Sequence, residues 1–324
     1  MIDIWLSFIL SCDATLRLAT PLIFCALAGL ISERAGIIDI SLEGKLLGSA
    51  FAAAAAASIY QSVWVGLSIG ILVSLGFSIV HGFACITHRG NQIVSGLAIN
   101  IIGVGVTTTI AYSLFNQGGR TPLLKQTERF QPIHFPQSDF LGNFPVIDVI
   151  YSELLSGHRL PVYIAILAVP LASFLLYRTR FGLHLRAVGE VPEAVDSAGI
   201  SVAWMRYRAL LVAGVLCGVA GAYLSTAHGA GFVRDMSAGK GYIALAAMIF
   251  GRWRPWPVFF SCLMFGFFEA IASRLQGFSF PLIGEPPVEI ILTFPYIVTV
   301  IVLAVFMRNA VPPLALGQSY AKDG

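Results

Sequence analysis

Arg178 to Arg208 reads RTRFGLHLRAVGEVPEAVDSAGISVAWMRYR, a polar, arginine-rich segment set between two long apolar blocks. Its five arginines outnumber the acidic Glu190, Glu193 and Asp196, the bias expected on the cytoplasmic side of membrane spans. Taken as a cytoplasmic docking loop over 178–208, it fixes the orientation of everything around it. Within it Pro192 suits the first position of a short helix, Glu193 suits that helix's positive end, and Gly199 can terminate it. Such a helix offers Ala194 and Val195 to a partner. The residues alone also allow a solvated connector with one incidental helical turn.

Outward from this loop the chain is apolar. Of 324 residues, 57% are hydrophobic and 11% charged, whereas about a quarter of a water-soluble domain is charged. The expectation is therefore an all-α, polytopic transmembrane helix bundle, one membrane domain over 1–324. A net charge of +3 spread through short loops makes no basic face, which excludes nucleic-acid binding. Cys12, Cys25, Cys85, Cys217 and Cys262 lie scattered in apolar stretches, without metal-ligand or disulfide spacing, and read as packing residues. No removable signal peptide is visible, so the first spans are expected to direct insertion.

Apolar length places spans near 14–31, 37–59, 63–86, 93–115, 161–177, 209–228, 241–251, 257–275 and 289–307. With the Arg178 loop inside, Glu33 and Arg34, His88 and Arg89, Arg252 and Arg254, and the tail from Arg308 fall on the same side. The segment 116–160 becomes an external loop, equally suited to touching a receptor or capping the bundle. Ile2 to Leu10 is apolar enough for a further span or a surface helix, giving eight to ten spans.

Two of these segments are too interrupted for plain helices. Asp39-Ile-Ser41 is followed by Glu43, Gly44 and Lys45 and an alanine-rich run; Asp235-Met-Ser237 is followed by Gly239 and Lys240 and a short apolar run to Gly251. The second run, at 1.5 Å per residue, crosses about half a bilayer before Arg252. The two helices run in opposite directions under the assigned topology, which suggests broken half-helices in an inverted repeat. Irregular backbone and charge at membrane depth need protein or water around them. Asp39, Ser41, Glu43, Gly44, Lys45, Asp235, Ser237, Gly239 and Lys240 are therefore the candidate substrate pathway, unless both stretches are interfacial loops whose likeness is chance.

Catalytic machinery is not visible. Gly44-Lys45 and Gly239-Lys240 lack the upstream glycine and following Ser or Thr of a phosphate loop, and no HExxH or GxSxG pattern occurs. A non-enzymatic transport subunit without cofactor or metal is expected, any ATP being used by a partner. His81 and His228 suit hydrogen bonding within the bundle better than proton transfer. Glu269 is read as structural, meeting a neighbouring helix, snorkelling to the interface, or pairing locally with Arg274 or Ser273. The Arg252 to Pro257 cluster reads as an interfacial anchor between two helices.

Three stretches together resemble the permease subunit of bacterial ABC importers of the simple sugar, nucleoside and branched-chain amino acid group, closest to nucleoside-type permeases that work with a basic membrane protein family receptor. They are Leu16–Phe24 leading to Gly36–Gly44, Gly182–Val202, and MSAGKGYIALAAMIFGRWRP over Met236–Pro255. Gly189, Glu190, Pro192, Glu193, Ala194, Val195 and Gly199 match the family's coupling loop, which seats against the ATPase. The resemblance implies a cytoplasmic ABC ATPase, a second permease subunit, homologous or identical, and an external substrate-binding lipoprotein. Nucleosides, or simple sugars, would move inward by alternating access. Asp39 stands where the related motif usually has Asn and Lys45 where it is usually apolar, which leaves the substrate open. The rival classes are an ion-coupled secondary transporter or channel for small polar solutes, and a membrane scaffold.

Overall fold

The computed structural model describes residues 2–135, 151–276, 293, 297, 300, 301 and 311–321. The expected span at 289–307 falls almost wholly outside them. The described residues are helical, with no named strand. The long elements are α1 (Ile2–Arg34), α2 (Leu42–Tyr60), α3 (Val63–Gly82), α4 (Gln92–Phe115), α5 (Leu160–Arg178), α6 (Arg180–Glu190), α7 (Pro192–Ser197), α8 (Val202–Tyr223), α9 (Lys240–Phe250) and α10 (Pro255–Leu275). Among the described residues, six helical stretches are long and apolar enough to cross a membrane: Ile9–Arg34, Val63–Thr87, Gln92–Phe115, Leu160–Arg178, Val202–His228 and Pro255–Leu275.

The bundle is built around α1, α2 and α8, which are largely buried. α3, α4, α5 and α10 surround them and turn Leu72, Ile101, Leu167 and Phe260 outward. Small residues set the close spacing of the centre. A Cβ at Gly221 of α8 would stand 2.4 Å from the Leu46 carbonyl oxygen of α2, so that helix pair packs backbone to backbone. Hydroxyl groups within the spans return to their own helix: Thr15 Oγ1 donates to the Ser11 carbonyl and Thr20 Oγ1 to that of Leu16, both at 2.7 Å. They therefore cost little in an apolar environment. Cys25, Cys85, Cys217 and Cys262 are buried and all five cysteines are free, with Cys25 Sγ 3.6 Å from Cys217 Sγ.

Contacts gather the charged turns at one end. Arg34 donates through Nε and Nη2 to the Trp253 carbonyl at 3.0 and 2.8 Å, and Trp253 Nε1 donates to Glu33 at 2.7 Å. Thr87 meets the Tyr207 hydroxyl at 2.7 Å. At the opposite end Val63, Phe130, Val162, Tyr223 and Ala227 share a small core. There the 116–135 stretch folds over the end of α8, Thr121 N donating to the Phe232 carbonyl at 3.1 Å and Leu124 N to that of Ala230 at 2.9 Å.

Three boundaries differ from expectation. Ile2 to Asp13 continues α1 as one helix and forms no separate span, since nothing between Leu10 and Ala14 breaks the helix. α2 starts at Leu42, not at residue 37, because Gly36 with φ +84° turns the chain, 37–39 has no regular structure and 40–41 turn into the helix. α8 starts at Val202, not 209. Ser201 accepts from the Trp204 amide at 3.3 Å, and Val202 and Met205 are buried. Arg206 and Arg208 thus belong to a helix, and Arg206 is only 2% exposed.

Candidate functional site

The two interrupted segments meet. The first leaves Gly36, runs through Asp39 and Ser41 and enters α2. The second descends from Gly229 through tight turns, with Asp235, Ala238 and Gly239 all in the left-handed region, and enters α9. Glu43, in the first turn of α2, accepts from the Gly239 amide on Oε1 at 2.9 Å and from the Gly241 amide on Oε2 at 2.6 Å. One carboxylate thus lies at the positive ends of two helices, where negative charge is favoured. Gly241 is required by the approach, as a Cβ there would stand 2.6 Å from Glu43 N.

The helices then diverge. α2 leads to the end where Val63 packs, whereas α9 leads to Trp253 and Arg34. The 11 residues of α9 cover about 16 Å, about half the thickness of a 30 Å hydrocarbon layer.

Asn100 of α4, which sequence reasoning missed, joins the same junction. Its Oδ1 accepts from the Gly44 amide at 2.8 Å, and its Nδ2 donates to the Ile40 carbonyl at 3.0 Å and to the Tyr242 hydroxyl at 2.9 Å. Gln92 accepts from the Ile38 amide at 2.7 Å, and His81 Nε2 bonds the Ile38 carbonyl at 3.1 Å. A carbonyl only accepts, so His81 carries its proton on Nε2. His81 is thereby a structural donor, as its sequence context suggests.

The remaining candidates separate into pairs. Asp39 and Lys45 form a salt bridge of 2.6 Å with both side chains 0% exposed, and Ser41 donates to the other Asp39 oxygen. This pair is sealed against the protein rather than open to a cavity. Lys240 pairs with Glu269 of α10, which is the contact with a neighbouring helix among the structural roles expected for Glu269, and Ser273 reaches the Glu269 backbone carbonyl at 2.9 Å. Ser237 is buried at the turn, its carbonyl accepting from the Lys240 amide at 2.9 Å. Asp235 is exposed and lies 3.3 Å from Arg234. Nearby, Arg120, Thr121, Gly231, Phe232 and Met236 line a cavity of about 560 Å³ that opens at the end opposite Arg34 and reaches the residue before Ser237.

At the Arg34 end, Thr179 caps α6, accepting from the Gly182 amide at 3.1 Å. Pro192 opens α7, and Gly199 at φ +79° closes the turn after it, its amide donating to the Asp196 carbonyl at 2.9 Å. Pro192 and Val195 face inward, while Glu190, Glu193 and Ala194 are exposed. Gly189 lies against α1, where a Cβ would meet the Arg34 carbonyl oxygen at 2.2 Å.

Sequence reasoning missed the strap that holds this surface. Residues 311–321 cross it, Ala315 N donating to the Gly189 carbonyl at 2.9 Å and Gly317 N to the Gly36 carbonyl at 3.0 Å. Arg206 Nη1 donates to the Gln318 carbonyl at 3.0 Å, and the Tyr320 hydroxyl to Asp196 at 3.1 Å. The only cue is compositional: PPLALGQSY carries no charge, which is unusual for a solvated tail.

Residues 11–304 match the family described as branched-chain amino acid transport system / permease component. The chain is 37% identical over 311 residues to the nucleoside ABC transporter permease protein NupC of Lactococcus lactis, covering 94% of each. It is 33% identical over 330 residues to the putative glucose ABC transporter permease protein TsgC13 of Haloferax volcanii, covering 96% of this chain and 97% of that one. It is also 33% identical over 320 residues to the guanosine ABC transporter permease protein NupQ of Bacillus subtilis, covering 95% of each. No solved structure matches the chain.

Proposed function

We propose, because the chain belongs to the family of branched-chain amino acid transport system permease components, that it is the membrane-spanning subunit of an ATP-binding cassette importer for nucleosides. Simple sugars are the second substrate class, as one relative at 33% identity is named for glucose. ATP is hydrolysed by a separate cytoplasmic subunit, an external binding lipoprotein delivers the solute, and a second permease subunit completes the pathway. The segment 116–160 is the external loop and 178–208 the cytoplasmic coupling loop of a single permease domain.

The observation that carries the coupling reading is α7. Glu193 and Ala194 are exposed on a short helix whose two ends are fixed, at Gly189 against α1 and through Asp196 to Tyr320. A surface that is presented outward and held from behind can receive a push and pass it on. We assign the route as α7 to the strap, the strap to Gly36, and Gly36 along 37–41 to the Glu43 junction. Closure of the ATPase subunits shifts α7, and the junction between α2 and α9 opens or closes in response. A binding event drives such a change only if the contact differs between the two states, so α7 should bind the ATP-closed and open ATPase with different affinity.

Asp39, Ser41, Glu43, Gly44, Lys45, Asp235, Ser237, Gly239 and Lys240 border or support the pathway in this account. α2 and α9, meeting at their first turns and ending at opposite faces, support the inverted repeat. The six long spans, with α2, half-length α9 and an expected span at 289–307, support eight to ten crossings. Glu43 fills the place where the start of α9 would attract an anion, which favours an uncharged solute and suits a nucleoside better than a phosphorylated one. Ion coupling is less well supported, since Asp39, Glu43 and Glu269 each already have a partner. ATP-dependent nucleoside uptake by vesicles holding the chain and its partner subunits tests the whole assignment; uptake driven by a proton or sodium gradient without ATP would replace it.

A further inference from the structure

At the Arg34 end, outside the pathway and the α7 surface, a cavity of about 560 Å³ opens between α5 and α10. Arg34, Arg186 and Arg254 line it, together with Ser173, Tyr177 and the Pro255 to Pro257 start of α10, and among the described residues no carboxylate lines it. The direct contacts of Arg34 and Arg186 are with neutral groups. Arg34 donates to the Trp253 carbonyl, and Arg186 lies over the Tyr177 ring at 5.0 Å. The positive end of the 21-residue helix α10 adds to the same field. Glu190, which lies outside the lining, acts on Arg34 as one opposite charge, and three converging cations against it favour a bound anion.

The surroundings identify its kind. The cavity lies where the apolar spans end, beside the exposed Trp256 of an interfacial anchor. From it the exposed apolar side chains of Leu167, Leu171 and Phe174 on α5 and Phe260 on α10 continue toward the middle of the bundle. A basic pocket between spans on the cytoplasmic side, continued by an apolar furrow, has the form that takes a phosphodiester headgroup with its acyl chains. We propose that this cavity seats the headgroup phosphate of an anionic phospholipid, with the acyl chains along α5 and α10. The lipid would bridge α1, α6 and α10 and so steady the base of the coupling loop.

The test uses the full chain with its copurifying subunits in detergent, delipidated and titrated with phosphatidylglycerol or phosphatidylcholine, binding being read by native mass spectrometry. Arg186→Gln/Arg254→Gln removes two of the cations, Ser173→Trp fills the cavity with the arginines kept, and Arg252→Gln is a control of like chemistry outside it. Wild type and control are expected to prefer phosphatidylglycerol by about 10-fold or more, and the other two variants to lose that preference while melting unchanged in phosphatidylcholine. Equal preference in all four proteins overturns the proposal. Displacement of the lipid by millimolar inorganic phosphate reassigns the site to a soluble anion, and lipid-independent burial of Trp256 between two copies reassigns it to a subunit contact; either result also overturns it.

Discussion

The Glu43 carboxylate at the start of α2 accepts a hydrogen bond from the Gly241 amide at the start of α9, 2.6 Å away and 198 residues on in sequence. With the second bond, from Gly239, it ties the two broken segments into one junction. The bonds are charge-assisted and lie away from bulk water, where such contacts are strongest. Opening the junction costs several kcal/mol unless another contact replaces it.

Glu43→Gln keeps the shape and removes the charge, and its amide can accept only through one atom. Loss of about 2 kcal/mol of stability is expected, read as a lower melting temperature in detergent. Uptake should fall too, whereas Glu43→Asp, too short to reach both amides, should behave like Gln rather than like wild type.

Backbone approach at the junction leaves no room for a methyl group. Gly44→Ala would set a Cβ 2.7 Å from the Ile99 carbonyl oxygen, and Gly241→Ala is as crowded. Each is expected to cost about 1–3 kcal/mol. Gly76→Ala and Gly105→Ala, on α3 and α4 with nothing within 4 Å of the added atom, should be neutral or stabilising by about 0.5–1 kcal/mol. Chemical denaturation of the four variants side by side checks the contrast.

Asp39 and Lys45 form a pair in which either partner alone is a buried charge. Asp39→Asn or Lys45→Met should each destabilise by about 3–5 kcal/mol. The double variant should recover much of that loss, because removing both charges removes the desolvation cost with the attraction. A double-mutant cycle on melting temperature reads the coupling; additive losses would show that the two side chains do not depend on each other.

The strap predicts a separation of assembly from coupling. Ending the chain before Val311 removes the bonds to Gly36, Gly189, Asp196 and Arg206 while leaving Glu193 and Ala194 in place. The truncated permease should still capture its ATPase, while ATP hydrolysis in the complex should no longer respond to the loaded binding protein. Tyr320→Phe, which removes one bond at the Asp196 end, should weaken that response by a smaller factor.

The parts legible in the sequence are those set by composition along one segment. Apolar length marks the six long spans, the Asp-x-Ser and Gly-Lys runs mark both broken segments, and Pro192 and Gly199 mark the two limits of α7. Long-range pairing was not legible. Asn100 stands out as a polar residue in the apolar run GLAINIIGVG, but nothing in that run says that it reaches Gly44, Ile40 and Tyr242. Lys240 in sequence suggests a side chain facing a cavity, and Glu269 allows a neighbouring helix as well as a local partner, but local spacing cannot show that these two residues, 29 apart, are the ones that pair. The uncharged tail was missed for the same reason: its backbone amides, not its side chains, make the bonds to Gly36 and Gly189.

The central claim, that ATP energy reaches the pathway through α7, is tested by ATP-dependent nucleoside uptake in vesicles carrying the permease with its partner subunits. Wild type is compared with Glu193→Arg/Ala194→Asp, and ATPase capture is measured on the same preparations. The account predicts uptake that requires ATP in wild type and is lost in the variant, with the variant still folded and inserted. Uptake that proceeds without ATP, or ATP-driven uptake equal in the two proteins, would contradict it.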